Sequence, residues 1–314
     1  MSRRESRRDD VLVACVAMLA VACGGSKAAT APSPVASAPG PGTPVGIVSA
    51  SSLCTARPNT MTGPATDPNG PAFHQVVVAR TTDGLTLTDA TIVQSAASVP
   101  DGVRAADGRT LVYYVNGLQH GIWVGVASGA SLAPIGPITI DGVRDPGGVV
   151  DPDAYRVGDR VRLAYLAGFT TASERAICIA ESDDGVTFRT LGLAVDLRGL
   201  GTVTDPSVVR LGDGTWLMAL SAGQQTMIAR SVDGLAFTTG ERLTYGGVPE
   251  VAIAPDGAVR LYVCAQGIVA YRSSDTFTWS REQTVVTRGP NGSMLVCDPS
   301  MVAGAGLFVF KTGM

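Results

Sequence analysis

Histidine is nearly absent from this chain of 314 residues: His74 and His120 are the only two, and they stand far apart in sequence. A zinc site built on imidazoles and a triad that needs a histidine base are therefore not expected. Charge is scarce too, at 16% of residues with a formal net −3, and no basic run occurs. The chain thus lacks the cationic surface that neutralises phosphates, and a nucleic-acid partner is not expected. The apolar stretch from Val11 to Ala22 is about a dozen residues, too short to span a bilayer.

What the chain has in quantity is turn chemistry. With 38 Gly and 19 Pro among few charges, the composition suits many short strands joined by turns rather than long helices. Length alone admits one large all-β domain or two smaller ones.

The first segment reads as a signal for export. Arg3, Arg4, Arg7 and Arg8 form a positive start ahead of the apolar stretch, which ends in Leu19-Ala20-Val21-Ala22-Cys23-Gly24. That ending resembles a bacterial lipobox, with Ala20 where Leu, Val or Ile is usual. Residues 1–23 are thus expected to be a signal peptide with Cys23 as lipidation site, ordinary cleavage near Ala22 being the alternative. Residues 24–72, rich in Ala, Pro, Gly, Ser and Thr, bury too little apolar surface to offset ordering entropy and read as a disordered tether. The expected location is the cell envelope, lipid-anchored on the periplasmic or extracellular face, with the lipid as the sole membrane contact. A monomer is expected. Setting aside Cys15 and Cys23 leaves Cys54, Cys178, Cys264 and Cys297, which allow three pairings in an oxidising compartment. Cys264 and Cys297 lie in neighbouring repeats and are the preferred disulfide; the spacings fit no metal motif.

Self-similarity organises residues 73–314. Five segments share one pattern: Val-Pro-Asp-Gly-Val-Arg at 99–104, Asp-Pro-Asp-Ala-Tyr-Arg at 151–156, Asp-Pro-Ser-Val-Val-Arg at 205–210, Val-Pro-Glu-Val-Ala at 248–252 and Asp-Pro-Ser-Met-Val at 298–302. Their prolines recur every 43 to 54 residues, and most are followed by a Gly turn and an apolar strand. Half a repeat later comes a second motif: Thr81-Thr-Asp-Gly, Ser182-Asp-Asp-Gly, Ser231-Val-Asp-Gly and Ser273-Ser-Asp-Thr, with a degenerate version near Ser128-Gly129. Asp-Gly favours a tight hairpin, so this motif links two outer strands and reads as structural. Four short strands per repeat without helical periodicity is blade architecture. The last repeat has two strands, and a hairpin from Gln75 to Thr88 precedes the first, so N- and C-terminal strands together complete one blade. The expected fold is all-β, a five-bladed β-propeller whose last blade is closed by both ends of the domain.

In a propeller the first strand of each blade lines the central channel. Residues before and after each proline are i and i+2, so regular alternation predicts that they face the same way. The position before holds Val99, Asp151, Asp205, Val248 and Asp298; the position after holds Asp101, Asp153, Ser207, Glu250 and Ser300. Every blade is therefore expected to place at least one carboxylate near the axis, and such crowding splits pKa values and fits a cation, a sugar or a catalytic role. The bland alternative is that the acids cap backbone N–H groups of turns.

These Asp-Pro openings resemble those of the five-bladed glycoside hydrolases, notably family 43 and its relatives acting on arabinose, xylose or fructose. The hairpin motif is similar to the Asp-box of sialidases, one residue shorter. The resemblance implies a glycosidase that binds carbohydrate and needs no cofactor, with an Asp base, an Asp that tunes pKa and a Glu acid on consecutive blades. Asp151, Asp205 and Glu250 stand in that order, although Glu250 departs from the pattern by directly following its proline. Those roles imply the inverting geometry, in which Glu250 protonates the leaving oxygen and Asp151 activates water. Asp101, Asp153, Asp298 and Trp216 are the candidate substrate-binding residues, and Asp101 with Asp298 the candidates for a calcium ion on the axis. Trp123, Trp216 and Trp279 stack on sugar or pack between blades, and His120 is a connection residue that reaches the channel or lies on the surface. A non-catalytic propeller that binds a glycan or an envelope partner is the competing reading.

Overall fold

A computed structural model of the chain describes residues 52–55, 67, 69–143, 148–169 and 174–314. The signal segment, Cys23 and most of 24–72 lie outside the described residues.

Five antiparallel sheets are the blades. The first holds β3 (Ala97–Arg104), β4 (Thr110–Asn116), β5 (Ile122–Ser128) and β6 (Ser131–Pro137). The second holds β8 (Val149–Val157), β9 (Arg160–Ala167), β10 (Ala176–Ser182) and β11 (Thr187–Asp196). The third holds β12 (Thr204–Arg210), β13 (Trp216–Ser221), β14 (Thr226–Ser231) and β15 (Thr238–Leu243). The fourth holds β16 (Gly247–Ile253), β17 (Val259–Ala265), β18 (Gly267–Ser273) and β19 (Ser280–Val286). The fifth joins β20 (Val296–Val302) and β21 (Leu307–Gly313) to β1 (His74–Arg80) and β2 (Thr88–Ser95). Innermost strands pack in a closed cycle, β3 on β8, then β12, β16, β20 and back to β3.

The expected architecture is present, with two refinements. Blade two carries a fifth strand, β7 (Thr139–Asp141), paired parallel with β11. The outer strand of the N-terminal hairpin begins at Thr88, so Leu85 belongs to the turn. The second strand of each blade is apolar and largely buried because sheets cover both its faces, as in Leu111-Val-Tyr-Tyr-Val of β4. Aromatic pairs seam neighbouring blades: Tyr113 with Phe188, Tyr155 with Trp216, and Tyr262 with Phe308, at ring separations of 6.1, 5.7 and 5.2 Å.

The hairpin motif is a stapled turn. Ser182 Oγ accepts the Gly185 N–H, and Asp184 Oδ1 accepts those of Val186 and Thr187, at 2.7–2.8 Å. Ser231 with Asp233 and Ser273 with Asp275 repeat the pattern. Gly234 has φ +70 and lies against the Trp216 ring, so a Cβ there would meet that ring at 2.5 Å. That contact lies within the third blade, whereas in the second the Gly185 carbonyl accepts the Tyr113 hydroxyl of the first blade at 2.8 Å, so the motif joins blades as well as strands.

Two disulfides cross-link the fold. Cys264 on β17 is joined to Cys297 on β20, tying blade four to blade five. Cys54, placed by sequence in the tether, is buried in a short helical turn (Ser52–Cys54) and joined to Cys178 on β10.

Strand β21 hydrogen-bonds to both β1 and β20. Deleting everything after Gly304 should leave two unpaired edges and give insoluble or protease-sensitive protein. A soluble truncation with unchanged thermal stability would contradict closure by these strands.

Candidate functional site

Each innermost strand bends at its proline. Val99, Asp151, Asp205, Val248 and Asp298 all have φ between +46 and +52. Proline disfavours the α region for the residue before it, and a left-handed conformation is uncommon for any non-glycine, most of all for a β-branched valine. All five sites coincide with register shifts in the ladder, so they are bulges. A bulge breaks the i, i+2 alternation. The side chains flanking each proline accordingly form two rings with separate partners, which corrects the expectation that they face the same way.

The ring after the prolines is a relay. Asp101 Oδ2 accepts the N–H of Ala154 at 2.5 Å, and Asp153 Oδ2 that of Val208 at 3.0 Å. Ser207 Oγ accepts from Val251 at 2.9 Å, Glu250 Oε1 from Met301 at 3.2 Å, and Ser300 Oγ from Gly102 at 3.1 Å. Each blade thereby holds the next, and the fifth holds the first. The acids do cap backbone N–H groups, but across blades rather than within turns. All five side chains are buried, and Ser207 also donates to Glu250 Oε2 at 2.7 Å. Burial pushes the Asp101 carboxyl up to about 7. It also raises Asp153 and Glu250 well above the carboxylate range, with Asp101 adding to both.

The ring before the prolines is more open. Asp151 and Asp205 are half-buried on adjacent blades, and Asp151 Oδ2 accepts the Asp205 N–H at 3.4 Å. Thr204 donates to Asp205 Oδ2 at 2.5 Å. Asp298 accepts from the Val99 N–H and pairs with Lys311 Nζ at 2.8 Å. Burial, then Asp205, raises Asp151 well above its usual range; burial, then Asp298, brings Asp205 to about 6. Burial opposes the Lys311 charge, but the Asp298 carboxylate outweighs it and raises that pKa.

Asp151 and Asp205 are therefore brought together, while Glu250 belongs to the other ring with Asp101, Asp153 and Ser207. Asp101 and Asp298, expected to share a calcium ion, stand in different rings because the bulge separates them. The trio that could hold a hard cation is Asp101, Asp153 and Glu250, with one carboxylate oxygen of each within 4.8 Å of the others. Trp216 is 6% exposed, packed on Tyr155 and against the Gly234 turn, and borders the cavity where the innermost strands finish. Trp279 is buried, Trp123 is half-buried, and His120 sits half-buried in the turn between β4 and β5. Two neighbours of the open ring escaped sequence reasoning. Lys311 lies across from Cys297 in the ladder, a pairing that only the closing sheet creates. His74, buried and hydrogen-bonded through Nδ1 to Ser98 Oγ at 2.9 Å, has its pKa lowered to about 4 by burial and then Lys311.

No family model matches the chain, and no curated protein does. Solved structures do share its fold. A protein of unknown function from Dyadobacter fermentans is 20% identical over 79% of this chain and 85% of its own, with a TM-score of 0.52. An α-L-arabinofuranosidase from Clostridium thermocellum is 15% identical over 67% and 80%, with a TM-score of 0.51. The native arabinanase of Bacillus subtilis is 14% identical over 69% and 95%, with a TM-score of 0.50. At these identities the likeness is one of fold.

The relay acids give a testable pH signature. A carboxyl ionising near 4 when unfolded but at about 7 when folded keeps its proton longer in the native state. Its stabilisation is present below the unfolded value and is lost as pH rises through the folded one. His74, lowered on folding, acts in the opposite sense between about 4 and about 6.5, so the informative quantity is a difference. Asp101→Asn, which keeps an oxygen for the Ala154 N–H, should gain in Tm relative to wild type as pH rises from about 4 to about 7. Parallel Tm curves would show that Asp101 titrates normally.

Proposed function

We propose that the protein is an exported, carbohydrate-acting propeller of the glycoside-hydrolase type, working at the channel end where Asp151 and Asp205 are half-exposed. One observation carries the reading: two coupled acids on adjacent blades, both raised by burial, beside the Asp298–Lys311 pair. The shared fold of an arabinofuranosidase and an arabinanase supports carbohydrate as the substrate class, by analogy of fold. Hydrolysis needs one carboxyl protonated and one ionised at working pH. The environments favour the proton on Asp151, whose main charged neighbour is anionic Asp205. Asp205 receives the Thr204 hydroxyl and feels Lys311, so it holds negative charge more readily. Asp151 then acts as general acid and Asp205 as the base that activates water, an exchange of duties relative to the family pattern. Glu250 serves the relay.

A panel of aryl-glycosides and plant or bacterial polysaccharides tests this. Asp205→Asn should lower turnover by about 10²–10⁴-fold on every substrate, whereas Asp151→Asn should be mild where the leaving group needs no proton. Activity should fall below about pH 6 as Asp205 protonates. Glu250→Gln should lower Tm and spare the leaving-group dependence. Glycan binding without hydrolysis by the wild type would instead establish a binding module, a reading that the neutralising Lys311 favours.

Export through a lipidated Cys23 belongs to the same proposal, and the two disulfides fit an oxidising compartment. Cys23→Ala should move the protein from the membrane fraction to the soluble one. Identical fatty-acid labelling of both forms would rule out lipidation there.

A further inference from the structure

The other end of the channel has its own chemistry. A cavity of about 530 Å³ opens where the innermost strands finish, with Asp101, Asp153 and Glu250 among its lining. That volume suits one or two sugar rings. Four residues beyond their prolines, three consecutive blades each place an exposed arginine at this cavity: Arg104, Arg156 and Arg210. The equivalent positions of the other two blades hold Ile253 and Ala303, which line it as well. The rim is therefore cationic along one arc and apolar along the other.

The nearby carboxylates are committed elsewhere. Asp107 pairs with Arg109 at 2.6 Å, and Asp213 accepts from Thr215. Among the described residues no carboxylate lies within ion-pair distance of Arg104, Arg156 or Arg210. Arg104 donates to Thr110 Oγ1 at 3.0 Å, and Arg210 lies 5.8 Å over the Trp216 ring, so these two are held in place with donors to spare. Beneath the rim stand carboxyl groups already fixed by the relay, whose remaining acceptor capacity suits hydroxyl donors. A bare inorganic anion would find its counter-charge on the arginines but repulsion or no partner at the centre. A neutral sugar would find partners at the centre and leave the guanidinium arc unused. A ring carrying both hydroxyls and a carboxylate satisfies both, since guanidinium forks match carboxylates two bonds at a time.

We propose that this cavity is a binding site for a carboxylate-bearing sugar, its acid on Arg104, Arg156 and Arg210 and its hydroxyls toward Asp101, Asp153 and Glu250. The site is independent of the hydrolytic reading, which concerns the opposite end of the channel.

Calorimetric titration of the folded protein with a disaccharide of galacturonic acid tests it, beside the neutral galactose disaccharide and inorganic phosphate. The acidic disaccharide should bind, weaken with salt and exceed both comparators by at least about tenfold. Arg156→Gln should weaken it by about tenfold, the scale of one charge-assisted hydrogen bond, and the triple arginine-to-glutamine variant should abolish it. Arg156→Gln should leave Tm unchanged, since among the described residues no hydrogen bond or ion pair holds that exposed side chain; if the triple variant unfolds, Arg156→Gln carries the test. Asp205→Asn at the opposite end should retain wild-type affinity. Absence of binding at millimolar ligand, equal binding of the neutral disaccharide or phosphate, an unaffected Arg156→Gln, or loss of binding in Asp205→Asn would each overturn the proposal.

Discussion

The structure depends on one constraint: five innermost strands must meet around an axis where no ladder hydrogen bonds join them. Each strand presents N–H groups toward its neighbour, and a buried N–H without an acceptor is expensive. The relay from Asp101 through Asp153, Ser207 and Glu250 to Ser300 answers that need one side chain at a time. Longer side chains and shorter ones take equivalent positions, so the choice among Asp, Glu and Ser tunes charge without changing the closure. Because each link spans two blades, the ring has no natural starting point. Loss of one link leaves an orphaned donor at the centre of the molecule.

The proline bulge is the companion device. It turns the chain just before the relay residue and sends the preceding side chain to a different ring. At four of the five left-handed residues a neighbouring blade accepts the backbone N–H, that of Asp298 reaching Cys264 Sγ at 3.2 Å. The Val99 N–H reaches Asp298, that of Asp205 reaches Asp151, and that of Val248 reaches Ser221 Oγ at 3.0 Å. Non-glycine strain of this kind persists only where the surroundings over-determine it. Structural and chemical duties are thus separated by one residue of backbone, with the buried ring committed to closure and the half-open ring left to meet a ligand.

Much of this was legible in the sequence. Repeating prolines gave blade number and phase, Asp-Gly gave the outer hairpins, and half-repeats at the two ends gave closure. The grouping of acids was not, because alternation assumes a regular strand and nothing in Asp-Pro or Val-Pro announces a left-handed residue. Valine there argues against it. Lys311 and His74 were invisible for another reason: they lie at opposite ends of the described chain, and only pairing of β21 with β1 and β20 brings them beside Asp298. Cys54 was hidden by composition, since a low-complexity segment does not show that one of its residues is anchored. The surroundings of Trp216 were not legible either, since packing on Tyr155 and on the Gly234 turn arises only when the blade folds and meets its neighbour.

The aspartates show how far placement alone decides chemistry. Asp275, on an exposed hairpin, accepts the N–H groups of Thr278 and then Phe277, and these hold its carboxyl down to about 2. Asp205, half-buried, is raised by desolvation and by Asp298 while Thr204 and Lys311 pull it back, and it settles at about 6. Asp101 accepts the Ala154 N–H as well, yet burial lifts it to about 7. Hydrogen bonds from backbone donors are common to the first and the last, so they cannot be what separates them. Access to water is. A hairpin acid stays charged because solvent shares the load, and a channel acid holds its proton because nothing does. The half-open setting, with one face to solvent and Lys311 within reach, brings Asp205 back to about 6, below the value that burial imposes on Asp101, and it is there that the open ring sets Asp205 beside Asp151.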